Sequence, residues 1–216
     1  MPTDIAHAER VYETARHRSA AASSPIVASW RRCMVKHRLA PEENRKPIFL
    51  SEAEFRRARE SAAGLIAEST DELDRIFHSV GKSGCCLLLT DAQGVALERR
   101  GAAGDDRDFR SLGLWSGAVW SEESVGTNGI GTALVDERSV VVYRDQHFFT
   151  SNTELCCTTA PIRDHTGRVT GALDISTCRD DINEMTFSFV TQAVEDAAQP
   201  LEGNPFPPAF PGGVLV

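Results

Sequence analysis

His147 and Cys157 are the side chains in this sequence best suited to covalent or metal chemistry. At their spacing they could reach one another or a ligand, together with the hydroxyls of Thr158 and Thr159. A thiol nucleophile needs a thiolate in an exposed, electropositive setting. Because Cys157 falls in a predicted core strand, we favour a structural or pocket-lining role. Thiol catalysis and a metal or haem role for His147 remain the alternatives, and no haem axial ligand is evident.

The glycine-rich segment 124–134, which reads SVGTNGIGTAL, is the strongest local signal. Gly126, Gly129 and Gly131 permit close backbone approach, and Asn128 tolerates a left-handed conformation. Such a turn at a helix N-terminus could hold an anion. It lacks the Lys-Ser/Thr of a P-loop, however, and it does not follow a strand in a βαβ unit. The segment therefore predicts a helix packed on a sheet at the rim of a pocket.

Asp174 lies inside the apolar run 172–176 and is the most informative carboxylate. A charge there must be paired or turned outward, which favours a hydrogen-bonding or pocket residue over a titrating catalyst. Adjacent acidic pairs such as Glu122-Glu123 are predicted to be solvated or to cap helices. Aromatic residues could line a hydrophobic pocket, although core packing predicts the same set: Trp115, Trp120, Phe148 and Phe149.

Residues 1–80 are predicted to be helical. Ser24-Pro25 is an N-cap followed by a first-turn proline. Ser51 and Glu54 form a capping box that opens a segment of up to about 28 helical residues, longer than most globular helices. A helix of that length usually packs against partners, which predicts dimerisation through it.

Residues 84–177 contain the predicted strands, 85–90, 95–99, 140–143, 155–163 and 168–176. Turn residues 91–94 and 164–167 close two hairpins. The insertion of about 40 residues between the two strand groups is typical of a lid or pocket wall. A last helix is predicted after Asp181. The order predicts an α+β fold, an antiparallel sheet with helices against it.

Composition excludes several classes of function. The chain has 216 residues and a formal net charge of −8, which argues against a simple nucleic-acid binder. The basic stretch 30–38 is predicted to be the solvated side of a helix. No apolar run approaches the roughly 18 residues of a membrane span, and no signal peptide is evident, so we expect a cytoplasmic protein. Six cysteines without zinc-site spacing predict buried, reduced thiols.

Several motifs in order resemble a known family. They are GTNGIGTAL (126–134), QHF (146–148), CTTAPI (157–162), GALDIS (171–176) and, upstream, SWRRC (29–33). They resemble the GAF sensor region of acetoin/glycerol-type sigma-54-dependent transcriptional activators. The resemblance implies a GAF fold with a small-molecule pocket between the sheet and the insertion helices. It also implies a cytoplasmic sensor, often dimeric through flanking helices.

The sequence departs from the family pattern at three positions in these motifs. Gly129 stands where alanine is usual, Gln146 replaces glutamate, and Leu155 stands where tryptophan is common. The AAA+ ATPase and helix-turn-helix that follow in the family are also absent, and no Walker A motif occurs. We therefore expect a stand-alone sensor without direct nucleic-acid binding, which signals to a partner such as a transcriptional activator.

The predicted organisation is a helical region (1–80), a GAF domain (81–200) and a mobile Pro/Gly-rich tail (201–216). The first hypothesis is a regulatory protein that binds a small molecule and passes a conformational change to its partner. The alternative is a haem-, metal- or thiol-based redox sensor or enzyme that uses His147 and Cys157. The candidate ligand-binding residues are Trp115, Trp120, Thr127, Asn128, His147, Phe148, Cys157, Thr159 and Asp174.

Overall fold

A computed structural model describes residues 2–16, 21, 24–80 and 84–178. The helices are α1 (Pro2–Arg16), α2 (Pro25–Val35), α3 (Glu52–Ser61), α4 (Ala63–Val80), α5 (Asp106–Ser111), α6 (Glu122–Val125) and α7 (Gly129–Asp136). The strands are β1 (Ile48–Phe49), β2 (Cys85–Asp91), β3 (Ala96–Arg100), β4 (Ala118–Val119), β5 (Val140–Tyr143), β6 (Cys156–Arg163) and β7 (Val169–Thr177). The predicted helix after Asp181 and the tail 201–216 lie outside the described residues.

Local sequence signals set the starts of the N-terminal helices. The Ser24 side chain accepts a hydrogen bond from the Val27 amide at the start of α2. At α3 the Ser51 hydroxyl accepts from the Glu54 amide, and the Glu54 carboxylate accepts from the Ser51 amide. Both caps satisfy amides that have no partner within the first helical turn. The two predicted helix starts are confirmed.

The prediction of one long helix after Ser51 is wrong, because the chain breaks at Ala62 into α3 and α4. The Ala62 backbone has φ −102° and ψ 17°, outside the helical region. Helix α3 buries none of its side chains, whereas α4 buries Leu73 and Ile76. The break lets α4 turn onto the sheet while α3 stays at the surface.

Five strands form one antiparallel sheet in the order β3-β2-β7-β6-β5. Sequential strands form the two hairpins, β2-β3 and β6-β7, and β7 then pairs with β2 at the centre. Strands β1 and β4 form a separate two-stranded pair. The predicted α+β fold with an antiparallel sheet is confirmed.

Each face of the sheet buries a hydrophobic core. On the outer face, Leu73 and Ile76 of α4 pack with side chains such as Leu87. On the inner face, Val11 of α1 and Trp30 of α2 join a larger cluster that also includes the side chains Leu88, Trp120, Ile130 and Phe148. The N-terminal helices and the sheet therefore share one core. The boundary predicted at residue 80 stays a prediction.

Membrane-spanning helices do not occur in the described part of the chain, where every helix is too short or too polar to cross a bilayer.

Candidate functional site

The inner face of the sheet carries two rows of aligned side chains. Strand register places the first row in the order Arg99, Leu88, Asp174, Thr159 and Val140. The second row runs Cys86, Ser176, Cys157 and Val142. Because side chains alternate between faces of a strand, both rows point to the same side of the sheet. Polar groups are thus concentrated at the centre of an otherwise apolar surface.

Asp174 is the charged group at the centre of these rows and is only 1% exposed. Thr159 Oγ1 donates a hydrogen bond to Asp174 Oδ1 at 2.5 Å, and Ser176 Oγ donates to Oδ2 at 2.7 Å. Burial raises the pKa of Asp174 to about 6, although both hydrogen bonds act in the opposite direction. The structure agrees with the prediction of a hydrogen-bonding residue, and it also makes Asp174 a group that can change charge near neutral pH.

His147 and Cys157 meet as the sequence analysis expected. His147 Nε2 lies 3.4 Å from Cys157 Sγ, and His147 Nδ1 lies 2.9 Å from the Arg144 carbonyl oxygen. The carbonyl can only accept, so Nδ1 carries the proton and Nε2 is an acceptor. The Ser176 hydroxyl, 3.1 Å from Cys157 Sγ, links this pair to Asp174.

Burial keeps the His147–Cys157 pair neutral. It lowers the pKa of His147 to about 4 and raises the pKa of the Cys157 thiol well above its usual value. A nucleophilic cysteine needs the opposite shift, so the pair does not support the thiol-catalysis alternative. Both ring nitrogens of His147 already face protein atoms, and the described residues contain no group of three or more metal-ligating side chains that could hold a metal ion.

Helix α7 begins directly on these rows, as the glycine-rich segment predicted. Asn128 caps it, accepting from the Gly131 amide and donating to the Gly126 carbonyl, both at 2.8 Å. At Gly129 a Cβ atom would lie 2.4 Å from Thr159 Oγ1 and 2.9 Å from Asp174 Oδ1. Glycine therefore allows the helix to touch the sheet.

The gaps left between α7 and the sheet are too narrow for a water molecule. They are lined by Leu114, Trp120, Asn128, Gly129, Ile130, Cys157, Asp174 and Ser176. In this structure α7 is therefore in direct contact with the strands at the predicted site.

The structure brings together six of the nine candidate residues. Trp120, Asn128, Cys157 and Asp174 line the closed interface, Thr159 bonds to Asp174, and His147 contacts Cys157. The other three are not among the residues that line this interface. Trp115 stacks with Arg99 and Arg110, Thr127 faces α2, and Phe148 packs on Phe149 with ring centroids 5.3 Å apart. A ligand-binding role for any of the nine stays a prediction.

A second buried polar cluster joins α2 to the glycine-rich segment through Glu122, which is 2% exposed. Arg32 donates two hydrogen bonds to the Glu122 carboxylate at 2.9 and 2.8 Å, and Ser29 Oγ donates one at 2.5 Å. Ser29 also lies 2.7 Å from Thr127 Oγ1 and 3.2 Å from Thr132 Oγ1. Neither role predicted for Glu122, solvated or helix-capping, is correct: the side chain is buried with a cation from a distant helix, and Ser121 caps α6.

The same cluster contacts α7 at two points, near its middle and at its last residue. Thr132 lies in its first half, and Arg32 Nη2 is 2.9 Å from the carboxylate of Asp136, the last residue of the helix. A movement of α7 off the sheet would therefore strain its contacts with Ser29 and Arg32. One feature of the sequence points to these contacts. Ser29 and Arg32 are three residues apart, so they share one face of α2 and can bind the same partner.

Comparisons with known proteins show the family of this chain. The family model described as "MimR, N-terminal domain" matches residues 1–197. The chain belongs to this family. The acetoin catabolism regulatory protein of Cupriavidus necator is 35% identical over 70% of this chain and 23% of its own length. The propane 2-monooxygenase operon transcriptional activator MimR of Mycolicibacterium smegmatis is 29% identical over 82% of the chain and 30% of its own length.

A solved structure also supports the fold. The Escherichia coli DhaR(N)–DhaL complex matches with a TM-score of 0.73 at 19% identity, over 82% of this chain and 60% of that one. The chain spans 23–30% of the length of the two regulators named above. The family resemblance expected from the sequence motifs is therefore confirmed.

Replacing Gly129 with alanine tests how closely α7 packs on the sheet of this MimR N-terminal domain. The added methyl group would collide with Thr159 and Asp174, so Gly129→Ala should lower the free energy of unfolding by about 1–3 kcal/mol. Urea denaturation measures this. Gly64 in α4 is a matched control, since a Cβ there has no atom within 4 Å and alanine should be neutral or stabilising. Equal effects at the two glycines would contradict the close packing.

Proposed function

We propose that this MimR N-terminal domain binds a small oxygenated organic molecule between α7 and the inner face of the sheet. The observation that carries the proposal is a set of buried polar side chains, Asp174, Ser176 and Cys157. They lie beneath α7, which can approach them closely because residue 129 is glycine. A carboxyl, a hydroxyl and a thiol can donate to or accept from a ligand hydroxyl or carbonyl group. The apolar residues around them would enclose its carbon atoms.

The names of the relatives support a small ligand of this kind. They regulate acetoin catabolism, a propane 2-monooxygenase operon and a dihydroxyacetone kinase operon. Acetoin and dihydroxyacetone are short molecules with a hydroxyl group next to a carbonyl. A ligand of three or four carbon atoms would require only a small displacement of α7.

The proposed signal passes from α7 to the N-terminal helices. A ligand that enters beneath Gly129 pushes α7 outward, and α7 is joined to Ser29 and Arg32 of α2 by the cluster around Glu122. The ligand shifts the equilibrium only as far as it prefers the open arrangement over the closed one. Helix α2 is then the element that changes position or mobility when the site is filled.

The recipient of the signal is, in our proposal, another protein or another domain of a transcription regulator. The DhaR structure named above is a complex with DhaL, which shows that a related fold can hold a protein partner. We further propose a cytoplasmic homodimer formed through the helices, with no enzymatic activity and no direct contact with nucleic acid. Size-exclusion chromatography with light scattering tests the dimer, and a monomer at micromolar concentration would contradict it.

A ligand screen tests the proposed function. Thermal unfolding would be followed with acetoin, dihydroxyacetone, acetone, propan-2-ol and 1,2-propanediol, and with lactate and pyruvate as acidic counterparts. At least one compound should raise the midpoint in a dose-dependent manner, and Ser176→Ala should reduce the shift. Ser79→Ala on the exposed side of α4 is the matched control. If no compound shifts the midpoint, the proposal of a small oxygenated ligand is wrong.

A further inference from the structure

Arg99 is a nearly buried cation on the row that contains Asp174. Its side chain is 11% exposed, and its Cζ lies 4.4 Å from the centroid of the Trp115 ring and 5.7 Å from that of Phe109. Both Arg99 and Asp174 act electrostatically on the Cys86 thiol, whose pKa burial raises to about 12. Arg99 therefore borders the same polar strip of the sheet as the proposed ligand site.

One edge of the Arg99 guanidinium has no hydrogen-bond partner other than the Cys86 thiol. Nη1 lies 2.9 Å from Asp106 Oδ1 in α5, but Nε and Nη2 are buried and meet no oxygen or nitrogen acceptor among the described residues. Its neighbour Cys86 holds a neutral thiol, which is a weak acceptor. Buried donors without a partner are rare and costly in folded proteins, and an arginine charge increases the cost.

The shape of this edge indicates what it could bind. Nε and Nη2 present two parallel N–H groups, the fork that takes both oxygens of a carboxylate. Gly101 lies beside it, where a Cβ atom would be 2.4 Å from Nη2, so glycine allows the guanidinium to pack directly against the backbone. The Asp106 side chain, 43% exposed, forms an ion pair with Nη1 from the α5 side, in which Oδ1 makes no hydrogen bond.

We infer that Arg99 binds the carboxylate of a short 2-hydroxy or 2-oxo carboxylic acid, whose oxygen-bearing carbon faces Asp174 and Ser176, and that Asp106 competes for Arg99 in the closed state. This inference rests on the proposed function and narrows its ligand class. The acid would accept hydrogen bonds from Nε and Nη2 and weaken the ion pair between Arg99 and Asp106. Helix α5, which carries Asp106, could then move together with α7. Trp115, stacked on Arg99, would report the event.

The test is a titration of the whole chain with lactate and pyruvate, followed by tryptophan fluorescence and by calorimetry. 1,2-Propanediol and hydroxyacetone are the matched neutral compounds. We expect an acid to bind more tightly than its neutral counterpart. Arg99→Gln should weaken acid binding about 10- to 100-fold, since it removes a charge-assisted bidentate pair. Asp106→Asn should strengthen it about two- to fivefold, as expected for release of a partly exposed ion pair.

Arg110→Gln is the matched control, because Arg110 also stacks on Trp115, at 5.0 Å, whereas the ion pair of Asp106 in the described part of the chain is with Arg99. Its acid affinity should not change. Binding of the neutral compounds alone overturns this inference and leaves the proposed function intact, whereas binding of neither series overturns both. An unchanged affinity in Arg99→Gln, or weaker binding in Asp106→Asn, also overturns it. If Arg99→Gln does not fold, Arg99→Lys, which keeps the charge but loses the fork, should weaken acid binding at least threefold.

Discussion

Arg32→Ala is expected to lower the free energy of unfolding by about 3 kcal/mol or more. Glu122 is only 2% exposed in the natural protein. The substitution removes the cation that donates two hydrogen bonds to its carboxylate. The hydroxyl of Ser29 remains as a donor but supplies no charge. Breaking one partner of a buried ion pair costs more than the pair itself contributes, because the other charge stays desolvated. Urea denaturation of both proteins measures the loss.

Two further variants separate this cause from general damage to α2. Arg31→Ala, one residue away, removes only a 3.5 Å contact with the Ala15 carbonyl and should cost less than about 1 kcal/mol. Glu122→Gln combined with Arg32→Ala should recover part of the stability, because it removes the orphaned charge. A loss below about 1 kcal/mol for Arg32→Ala would show that the Glu122 carboxylate is solvated after all.

Asp174→Asn is expected to change how stability depends on pH. The carboxyl titrates at about 6 in the folded protein and near 3.8 when unfolded, so the folded state binds its proton more tightly. This group therefore adds stability that is fully present below pH 3.8 and is lost as pH rises through 6. The stability of the natural protein minus that of the variant should grow by about 2 kcal/mol between pH 7 and pH 4.

His147→Gln should show the opposite trend and is the control. The imidazole titrates at about 4 when folded and near 6.5 when unfolded, so its contribution is present above 6.5 and is lost as pH falls towards 4. The natural protein should thus lose stability relative to this variant on acidification. Urea titrations at half-unit steps measure both differences. Parallel pH curves for the natural protein and Asp174→Asn would show that the Asp174 carboxyl is not desolvated.

Local patterns predicted much of this fold. Capping residues marked the starts of α2 and α3, β-branched and apolar runs marked the strands, and an acid inside the apolar run 172–176 marked Asp174. Each of these signals depends only on residues that are close to one another in the sequence. The break at Ala62 was not predictable in the same way, because no proline marks it and it depends on how α4 meets the sheet.

The burial of Glu122 and Arg99 could not be predicted from the sequence, because it depends on partners that are distant in the chain. Glu122 is buried only because Arg32 reaches it across 90 positions of the chain. Arg99 sits in a strand whose neighbours Glu98 and Arg100 are also charged, which suggests a solvated edge. Only the strand register, which aligns Arg99 with Leu88 and Leu88 with Asp174, places it on the inner face.

The closed site beneath α7 and its connection to α2 are the centre of the proposed sensor function. Amide hydrogen exchange would be measured with saturating acetoin and, separately, saturating pyruvate, in the natural chain and in Arg32→Ala. We expect a bound compound to change exchange in α7 and also in α2, whose Ser29 and Arg32 reach α7 through the buried cluster. In Arg32→Ala the α2 response should disappear while the α7 response remains. Exchange that changes in α7 alone in the natural chain, or in neither helix, would contradict the proposed path.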